Sequence, residues 1–474
     1  MAKRLFGTDG IRGVAGEFPL DLQTVERIGR SLTLNLTGEA LRPPKIIIGR
    51  DTRESGPAIE SALAKGAAGA GAEVESAGVI TTPGVAFLAR TGGFDAGVVI
   101  SASHNPFLDN GIKVFSPSGQ KMADAMERKI ERDLDGGSSP EGGKFGPAEK
   151  AGRDDALSSP VFSELAEGEL RDDARYEDRY VEFLVRNVGA RLSLSGVRLG
   201  LDCANGAAYR VAPRVFAELG AEVEVISVEP DGRNINEGCG SLHPELLIEL
   251  VTHKKLDVGI GFDGDADRSL FVDAPGELVD GDHTMLIVAE YLQSIGQLKS
   301  NSVVTTVMSN MGLEVALRER GIKLVRTNVG DRFVLEEMLA QGIEFGGEQS
   351  GHMIFSGISL AGDGIITAIE LLRAVGASGK TLHDLASKLM KYPQVLINFN
   401  VRSKPPLETL PAVSALMHEI ERDMAGRGRL LVRYSGTENV ARVMVEGEDR
   451  AATRRHAERL AEVIKSEIGE TAQA

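Results

Sequence analysis

Ile46–Asp51 (IIIGRD) is a short apolar run that ends in a polar turn; a helical stretch follows, and Gly71-Ala72-Glu73-Val74 opens a second strand. The same order returns at Leu199–Asp202 (LGLD), with a helix through Val215 and Leu219 and then Gly220-Ala221-Glu222-Val223. It returns again at Val303–Val307 (VVTTV), with a helix through Leu313 and Leu317 and then Gly321-Ile322-Lys323-Leu324. Strand, polar loop, helix, glycine, strand is a βαβ unit, because parallel strands need a crossover long enough to hold a helix. The repetition predicts an α/β protein with three similar domains built on mixed or parallel sheets. After a helix expected to end at Met390, Lys391-Tyr392-Pro393 breaks the pattern. Strands are then expected at Val395–Val401, Gly428–Arg433 and Ala441–Glu446, with amphipathic helices near 409–424 and 450–468. That is a smaller C-terminal α+β domain. The expected domain limits are 1–170, 171–277, 278–391 and 392–474, with a Gly-, Ser- and Pro-rich linker across 133–160.

Composition narrows the function. The chain has 474 residues, with 53 Lys and Arg against 69 Asp and Glu, a net charge of −16. A field of that sign repels nucleic acid and anionic lipid, and no basic run offsets it. No apolar run approaches the roughly 18–20 residues that span a bilayer. The start, Met1–Gly13 (MAKRLFGTDGIRG), lacks the apolar core of a secretion signal. Two cysteines, Cys203 and Cys239, can build neither a disulfide framework nor a four-thiolate zinc site. Together these point to a cytoplasmic protein without a nucleic-acid or membrane partner. The 56 glycines exceed the usual share of about 7% and suit many tight strand-to-helix loops.

Four loops carry polar chemistry. Ser101–Pro106 (SASHNP) follows the apolar strand Gly97–Ile100, at the carboxyl end where α/β sheets bind ligands. Ser103 beside His104 is either a nucleophile or a polar turn, and no G-x-S-x-G elbow occurs in the chain. Asp263–Arg268 (DGDADR) follows the apolar strand Val258–Phe262 and sets Asp263, Asp265 and Asp267 at alternate positions. Alternate residues of an extended surface loop face one way, and three hard oxygen donors suit Mg²⁺ or Ca²⁺ better than zinc. A calcium-binding EF-hand is excluded, because Arg268 replaces its glycine and Ala274 its glutamate. Gly346–His352 (GGEQSGH) offers Glu348, Gln349, Ser350 and His352 as hydrogen-bonding groups, or is a plain turn. Arg433–Thr437 (RYSGT) with Arg442 has the makings of an anion cradle, from the amides near Gly436, the Ser435 and Thr437 hydroxyls and a guanidinium fork. Ala374–Thr381 (AVGASGKT) imitates a nucleotide-binding P-loop, but Ile365–Leu372 before it continues a helical pattern. It therefore reads as a helix-to-helix turn with Thr381 capping the next helix.

Taken in order, these segments resemble the α-D-phosphohexomutase superfamily: FGTDGIRG at 6–13, IGRDTRESG at 48–56, ISASHNPFLDNGIK at 100–113, NINEGCGSLHPE at 234–245, GFDGDADR at 261–268, TNVGDR at 327–332, GGEQSGH at 346–352 and RYSGTENVARVMVEG at 433–447. The resemblance implies a phosphohexose mutase, an isomerase that works as an intramolecular phosphotransferase. It implies a phosphoserine at Ser103 and Mg²⁺ held by Asp263, Asp265, Asp267 and an oxygen of that phosphoserine. Arg12, Lys113, Arg268 and His352 match positions around the reacting phosphoryl group, with Lys113 or His352 as general base. Glu348 and Ser350 match sugar-hydroxyl contacts, and Gly330 and Asp331 lie in a segment expected to meet substrate. Arg433, Ser435, Gly436, Thr437 and Arg442 match the loop that grips the phosphate that stays. Gln349, where glucose- and mannose-handling relatives commonly carry Met, favours the glucosamine branch, as does Val329–Arg332. The implied reaction converts glucosamine 6-phosphate to glucosamine 1-phosphate through glucosamine 1,6-bisphosphate, feeding cell-wall precursor synthesis. A glucose- or mannose-phosphate mutase with the same chemistry is the alternative. The implied partner is a phosphorylated hexosamine, and a homodimer is allowed.

Overall fold

The structure, a computed structural model, describes residues 5–7, 9–37, 42–135, 172–435 and 439–469. The linker expected at 133–160 lies almost wholly outside the described residues, as do Gly436 and Thr437 of the expected phosphate loop. The chain divides into two compact units, Met1–Val307 with Val325–Ala386, and Met308–Leu324 with Ser387–Ala474.

The strands form four sheets. The first holds β1 (Phe6–Gly7), β2 (Gly10–Val14), β3 (Lys45–Arg50), β4 (Glu73–Val79), β5 (Ala96–Ile100) and β6 (Asp109–Phe115), ordered β1-β2-β6-β5-β3-β4. The second holds β7 (Arg198–Asp202), β8 (Glu222–Ile226), β9 (Val258–Phe262), β10 (Ser269–Asp273) and β11 (Leu278–Val279), ordered β11-β10-β9-β7-β8. The third holds β12 (Ser302–Thr306), β13 (Lys323–Thr327), β14 (Phe345–Gly347) and β15 (Met353–Phe355), ordered β13-β12-β14-β15. The fourth, β16 (Gln394–Asn400), β17 (Gly428–Tyr434) and β18 (Val440–Gly447), is antiparallel with β18 in the middle.

The first three sheets share one topology. In each, four strands are ordered fourth, third, first, second: β6-β5-β3-β4, β10-β9-β7-β8 and β15-β14-β12-β13. The first strand runs parallel to the third, and the third turns into an antiparallel fourth. The repeat in the sequence is thus a repeat of the fold, and the sheets are mixed because each ends in a hairpin. Ile46, Ile47 and Ile48 of β3 are all buried, as a strand covered by helices on both faces requires. By contrast β16 alternates exposed and half-buried residues. One face of the fourth sheet meets Val413, Leu416 and Ile420 of the helix Pro411–Asp423 and Leu460 and Ile464 of the helix Arg450–Ile468.

Two local expectations were tested. The helix expected to end at Met390 stops at Ala386. Further on, Asn310 donates to the Tyr392 carbonyl at 3.0 Å and accepts its N–H at 2.9 Å, holding the chain extended ahead of Pro393. The P-loop imitation is a helix end: Gly364–Ser378 is helical, Gly379 takes φ +64, and Thr381 Oγ1 accepts the Asp384 N–H at 3.1 Å to cap Leu382–Ala386. Among the described residues, no helix is long and apolar enough to cross a membrane.

Candidate active site

Each expected motif loop of the first three domains occupies the same place, the hairpin between third and fourth strands. Residues 101–108 join β5 to β6, 263–268 join β9 to β10, and 348–352 join β14 to β15. Duplication therefore supplies three equivalent loops at strand carboxyl ends, where side chains face a ligand crevice.

Ser103 is 1% exposed, adopts φ +55, and its Oγ donates to Asp263 Oδ2 at 2.7 Å across 160 residues of sequence. Potential ligand atoms of Asp263, Asp265 and Asp267 lie within 4.8 Å of one another. The aspartates converge through a turn with Ala266 at φ +56 rather than by alternation along an extended loop. They are also buried, not on the surface as expected, because residues from both neighbouring repeats close over them. Thr82 Oγ1 donates to Asp265 Oδ2 at 2.6 Å, and the Gly364 N–H donates to the Ala266 carbonyl at 3.0 Å.

Packed this way, the cluster is electrostatically uneven. Burial, with the charges of Asp267 and Asp265, pushes the Asp263 carboxyl well above the ordinary carboxylate range. Burial also acts on Asp267, but Lys113, His352 and Arg268 outweigh it and hold that group well below the range. Asp265 Oδ1 and Asp267 Oδ1 are buried and make no hydrogen bond. Crowded carboxylate oxygens with unspent acceptor capacity suit a hard divalent cation, so the residues fit Mg²⁺.

Cations surround the cluster. Lys113 Nζ, on β6, lies 2.8 Å from Asp265, 3.1 Å from Asp9 and 3.5 Å from Asp267. Burial works against its charge, yet Asp265, Asp9 and Asp267 hold it above an ordinary lysine. Arg12 on β2 pairs with Asp9, and Arg268 Nη1 meets His104 Nδ1 at 3.1 Å. His352 Nδ1 stands 3.5 Å from Asp267 and its Nε2 3.6 Å from Asp331. Burial opposes its protonation, but Asp267 and Asp331 push it up to about 9. His104 goes the other way: burial, Arg268 and Arg12 bring it down to about 4, leaving a neutral imidazole 3.3 Å from Ser103 Oγ.

The third-domain residues join this network. Glu348 accepts the Gly330 N–H at 3.2 Å, and exposed Ser350 approaches Glu348 at 3.4 Å. Asp331 pairs with Lys121 at 2.6 Å. Gln349 aims its amide at Asp280, 3.4 Å away, within its own domain.

Arg433, Ser435 and Arg442 belong to the second unit. Arg433 and Arg442 are cross-strand partners on β17 and β18, and Lys404 Nζ donates to the Ser435 carbonyl at 2.8 Å. Three cations thus gather around the start of the expected phosphate loop.

Sequence reasoning named Ser103, the aspartates and most of the cations, but not Asp9, Thr82, Lys121 or Lys404, and it gave His104 no role beyond being Ser103's neighbour. Asp9 sits inside a quoted motif and His104 beside Ser103, so both left a local signal. Thr82, Lys121 and Lys404 left none, since folding alone makes them neighbours of the loops.

Models of the phosphoglucomutase/phosphomannomutase family match the chain in order: alpha/beta/alpha domain I over residues 3–141, domain II over 178–276, domain III over 280–392 and the C-terminal domain over 396–463. A phosphoglucosamine mutase of Syntrophus aciditrophicus is 46% identical over 466 residues, covering 98% of this chain and 100% of the relative. Another, from Desulforamulus reducens, is 48% identical over 466 residues, covering 98% and 99%. Among solved structures, a phosphoglucomutase/phosphomannomutase family protein from Burkholderia thailandensis has the same fold, with a TM-score of 0.75 at 24% identity over 98% of both chains. So does Aspergillus fumigatus N-acetylphosphoglucosamine mutase, with a TM-score of 0.63 at 17% identity, covering 98% of this chain and 95% of that one.

Proposed function

Because the chain belongs to the phosphoglucomutase/phosphomannomutase family, we propose that it is an isomerase that interconverts glucosamine 6-phosphate and glucosamine 1-phosphate. The observation that carries this reading is Ser103 Oγ, held 2.7 Å from Asp263, one of three clustered buried carboxylates whose neighbour Asp265 pairs with the Lys113 ammonium. Support for the sugar comes from relatives named phosphoglucosamine mutase that match essentially the whole chain at 46% and 48% identity.

Phosphoryl transfer depends on in-line positioning and on neutralising charge over the transferring oxygens. In the first half, phosphorylated Ser103 gives its phosphoryl group to O1 of glucosamine 6-phosphate. The P–O bond to Ser103 breaks, the bond to O1 forms, and the product is glucosamine 1,6-bisphosphate. After the sugar turns over, Ser103 takes the phosphoryl group from O6 and glucosamine 1-phosphate leaves. His352 is the proton carrier in this scheme: raised to about 9, it acts through its neutral fraction, which accepts the O1 proton in the first transfer, and the imidazolium so formed returns a proton to O6 in the second. Lys113, held more firmly protonated, stays a cation and offsets phosphoryl charge. His104, neutral and 3.3 Å from Ser103 Oγ, is suited to exchange a proton with that oxygen. Mg²⁺ held by Asp263, Asp265 and Asp267 would add positive charge against the oxygens of the phosphoryl group on Ser103.

Arg12 and Arg268 extend that neutralisation. Glu348, fixed by the Gly330 N–H, and exposed Ser350 contact sugar hydroxyls, with Asp331 steadied by Lys121. Arg433, Ser435 and Arg442, with Gly436 and Thr437, grip the phosphate that does not react. The domain limits in this reading remain 170, 277 and 391. The two unpaired, buried cysteines are consistent with a cytoplasmic setting.

A coupled assay comparing glucosamine 6-phosphate with glucose 1-phosphate and mannose 1-phosphate tests the reading. The largest kcat/KM is expected for glucosamine 6-phosphate; a larger value for either other sugar would overturn the substrate assignment and leave the chemistry standing.

A further inference from the structure

Two sequence motifs, 48–56 and 234–245, supply no residue to the chemistry above, yet both end at the backbone of Ser103. That residue has φ +55, a left-handed conformation that a side chain disfavours, so its surroundings must hold it there. Its N–H donates to Ser101 Oγ at 2.9 Å, and Ser101 donates in turn to Asp51 at 2.6 Å. Its carbonyl accepts two side-chain donors at once, Arg53 Nη2 at 3.0 Å and Asn236 Nδ2 at 2.9 Å. The same two groups also reach the Asn105 carbonyl, at 2.8 and 3.2 Å.

Arg53 is 1% exposed. Its remaining donors go to Asp51 at 2.9 Å, to the Asp109 carbonyl at 2.9 Å and to the Pro106 carbonyl. All five guanidinium donors are therefore spent, three of them on carbonyls of the Ser103 loop and one on the carbonyl of Asp109, where β6 begins. Asn236 comes from the second repeat and is itself left-handed at φ +59, which asparagine tolerates, with its N–H on the Ala204 carbonyl at 2.9 Å. Gly264, in the aspartate loop, closes the remaining side. A Cβ there would stand 2.5 Å from the Ser103 carbonyl oxygen and 2.8 Å from Asn236 Nδ2.

We propose that Arg53 and Asn236 are positioning residues for phosphoryl transfer, fixing the Ser103 peptide so that Oγ is aimed at the aspartate cluster. Arg53 shapes the loop from within the first repeat. Asn236 sets the register between that loop and the aspartate loop, since it and Gly264 both belong to the second repeat. With the amide of Asn236 gone, the Ser103 peptide is free to relax toward negative φ, which swings Cβ and Oγ away from Asp263. A displacement of about 1 Å in a reacting atom can cost on the order of a hundredfold in rate. The inference rests on Ser103 being the phosphorylated residue.

Asn236→Gly removes both side-chain donors without backbone penalty, and Asn236→Asp keeps the shape but turns an oxygen toward two carbonyl oxygens. Each protein is phosphorylated with glucose 1,6-bisphosphate, and the phosphate on Ser103 is checked by intact mass and peptide mapping. The protein is then mixed in excess with glucosamine 6-phosphate, and glucosamine 1-phosphate formation is followed through a single turnover by rapid quench. The rate constant is expected to fall by about tenfold to a hundredfold in both variants, with the steady-state KM within about twofold of wild type. A smaller folded fraction lowers the amplitude and leaves the rate constant alone, so a purely structural role is distinguished. A variant with an unchanged thermal midpoint that takes no phosphate also supports the proposal. Wild-type rate constants in both variants, with wild-type phosphate on Ser103, overturn the positioning role only. Wild-type phosphate on another residue overturns the Ser103 reading and the proposal with it.

Discussion

Arg433 and Arg442 stand directly opposite each other on β17 and β18. Burial, with the charge of Arg442, lowers the Arg433 guanidinium from its ordinary range. Like charges directly opposite weaken a sheet, and an anion bound between them relieves that cost. Arg433→Ala should therefore raise KM for glucosamine 6-phosphate, by about tenfold for each 1.4 kcal/mol of binding energy that the guanidinium supplies. Ser103 phosphorylation should not change. An unchanged KM with a collapsed kcat would mean that Arg433 acts on the moving phosphoryl group instead.

Ser103→Ala should abolish both turnover and the phosphorylated species in intact-mass spectra of active protein. Phosphate that persists in this variant together with activity would exclude Ser103 as the carrier.

Magnesium should stabilise the wild-type protein, because it neutralises three carboxylates that the fold crowds together. Ligand binding to the native state adds about 2.7 kcal/mol at a hundredfold excess over Kd. Asp265→Asn removes one charged oxygen, so its thermal midpoint should respond far less to Mg²⁺ and its turnover should fall by at least about a hundredfold. Equal Mg²⁺ shifts and equal turnover in the two proteins would show that the aspartates do not hold the ion.

Gly362 lies against the His352 ring: a Cβ there would stand 2.1 Å from Nε2 and 2.4 Å from Cδ2. Gly362→Ala should displace the imidazole and lower kcat by on the order of a hundredfold while Ser103 still accepts phosphate. A kcat equal to wild type would mean that the ring position is not critical.

Asp363 caps the helix Gly364–Ser378 and accepts the Tyr180 hydroxyl at 2.6 Å; burial pushes its carboxyl up to about 6 from 3.8. Between those values the native state holds a proton that the unfolded chain releases, so this group lowers stability as pH rises. Asparagine keeps the cap and the Tyr180 contact without the charge. Asp363→Asn should gain on wild type from about pH 4 to about pH 7, by no more than roughly 3 kcal/mol in denaturant melts. A constant difference across that range would contradict the assignment.

Much of the fold was legible because it is written in short-range patterns. The run Ile46–Ile48 and the glycines after each helix carry the βαβ order, and helix caps such as Thr381 depend on neighbours a few residues away. The loops were legible for the same reason: Ser103 and Asp263 each follow an apolar strand, so their place at a strand's carboxyl end could be read locally. The helix end at Ala386 was less legible, because Leu389 and Met390 continue the helical spacing of Leu382, Leu385 and Ala386 beyond the point where the helix stops.

By itself the sequence determined the α/β class, the threefold repeat, the four polar loops and the chemical type of their side chains, since each depends on periodicity or composition within a few residues. Only the tertiary structure decided that three of those loops are equivalent hairpins, that Ser103 reaches Asp263, and that Asp9, Lys121 and Thr82 complete the cluster. It also decided the opposite protonation of two histidines, with His352 raised to about 9 and His104 lowered to about 4. The reason is physical: a side chain's charge state and partners are set by burial and by charges within a few ångströms, and folding brings those from segments as far apart as the 210 residues between Lys121 and Asp331.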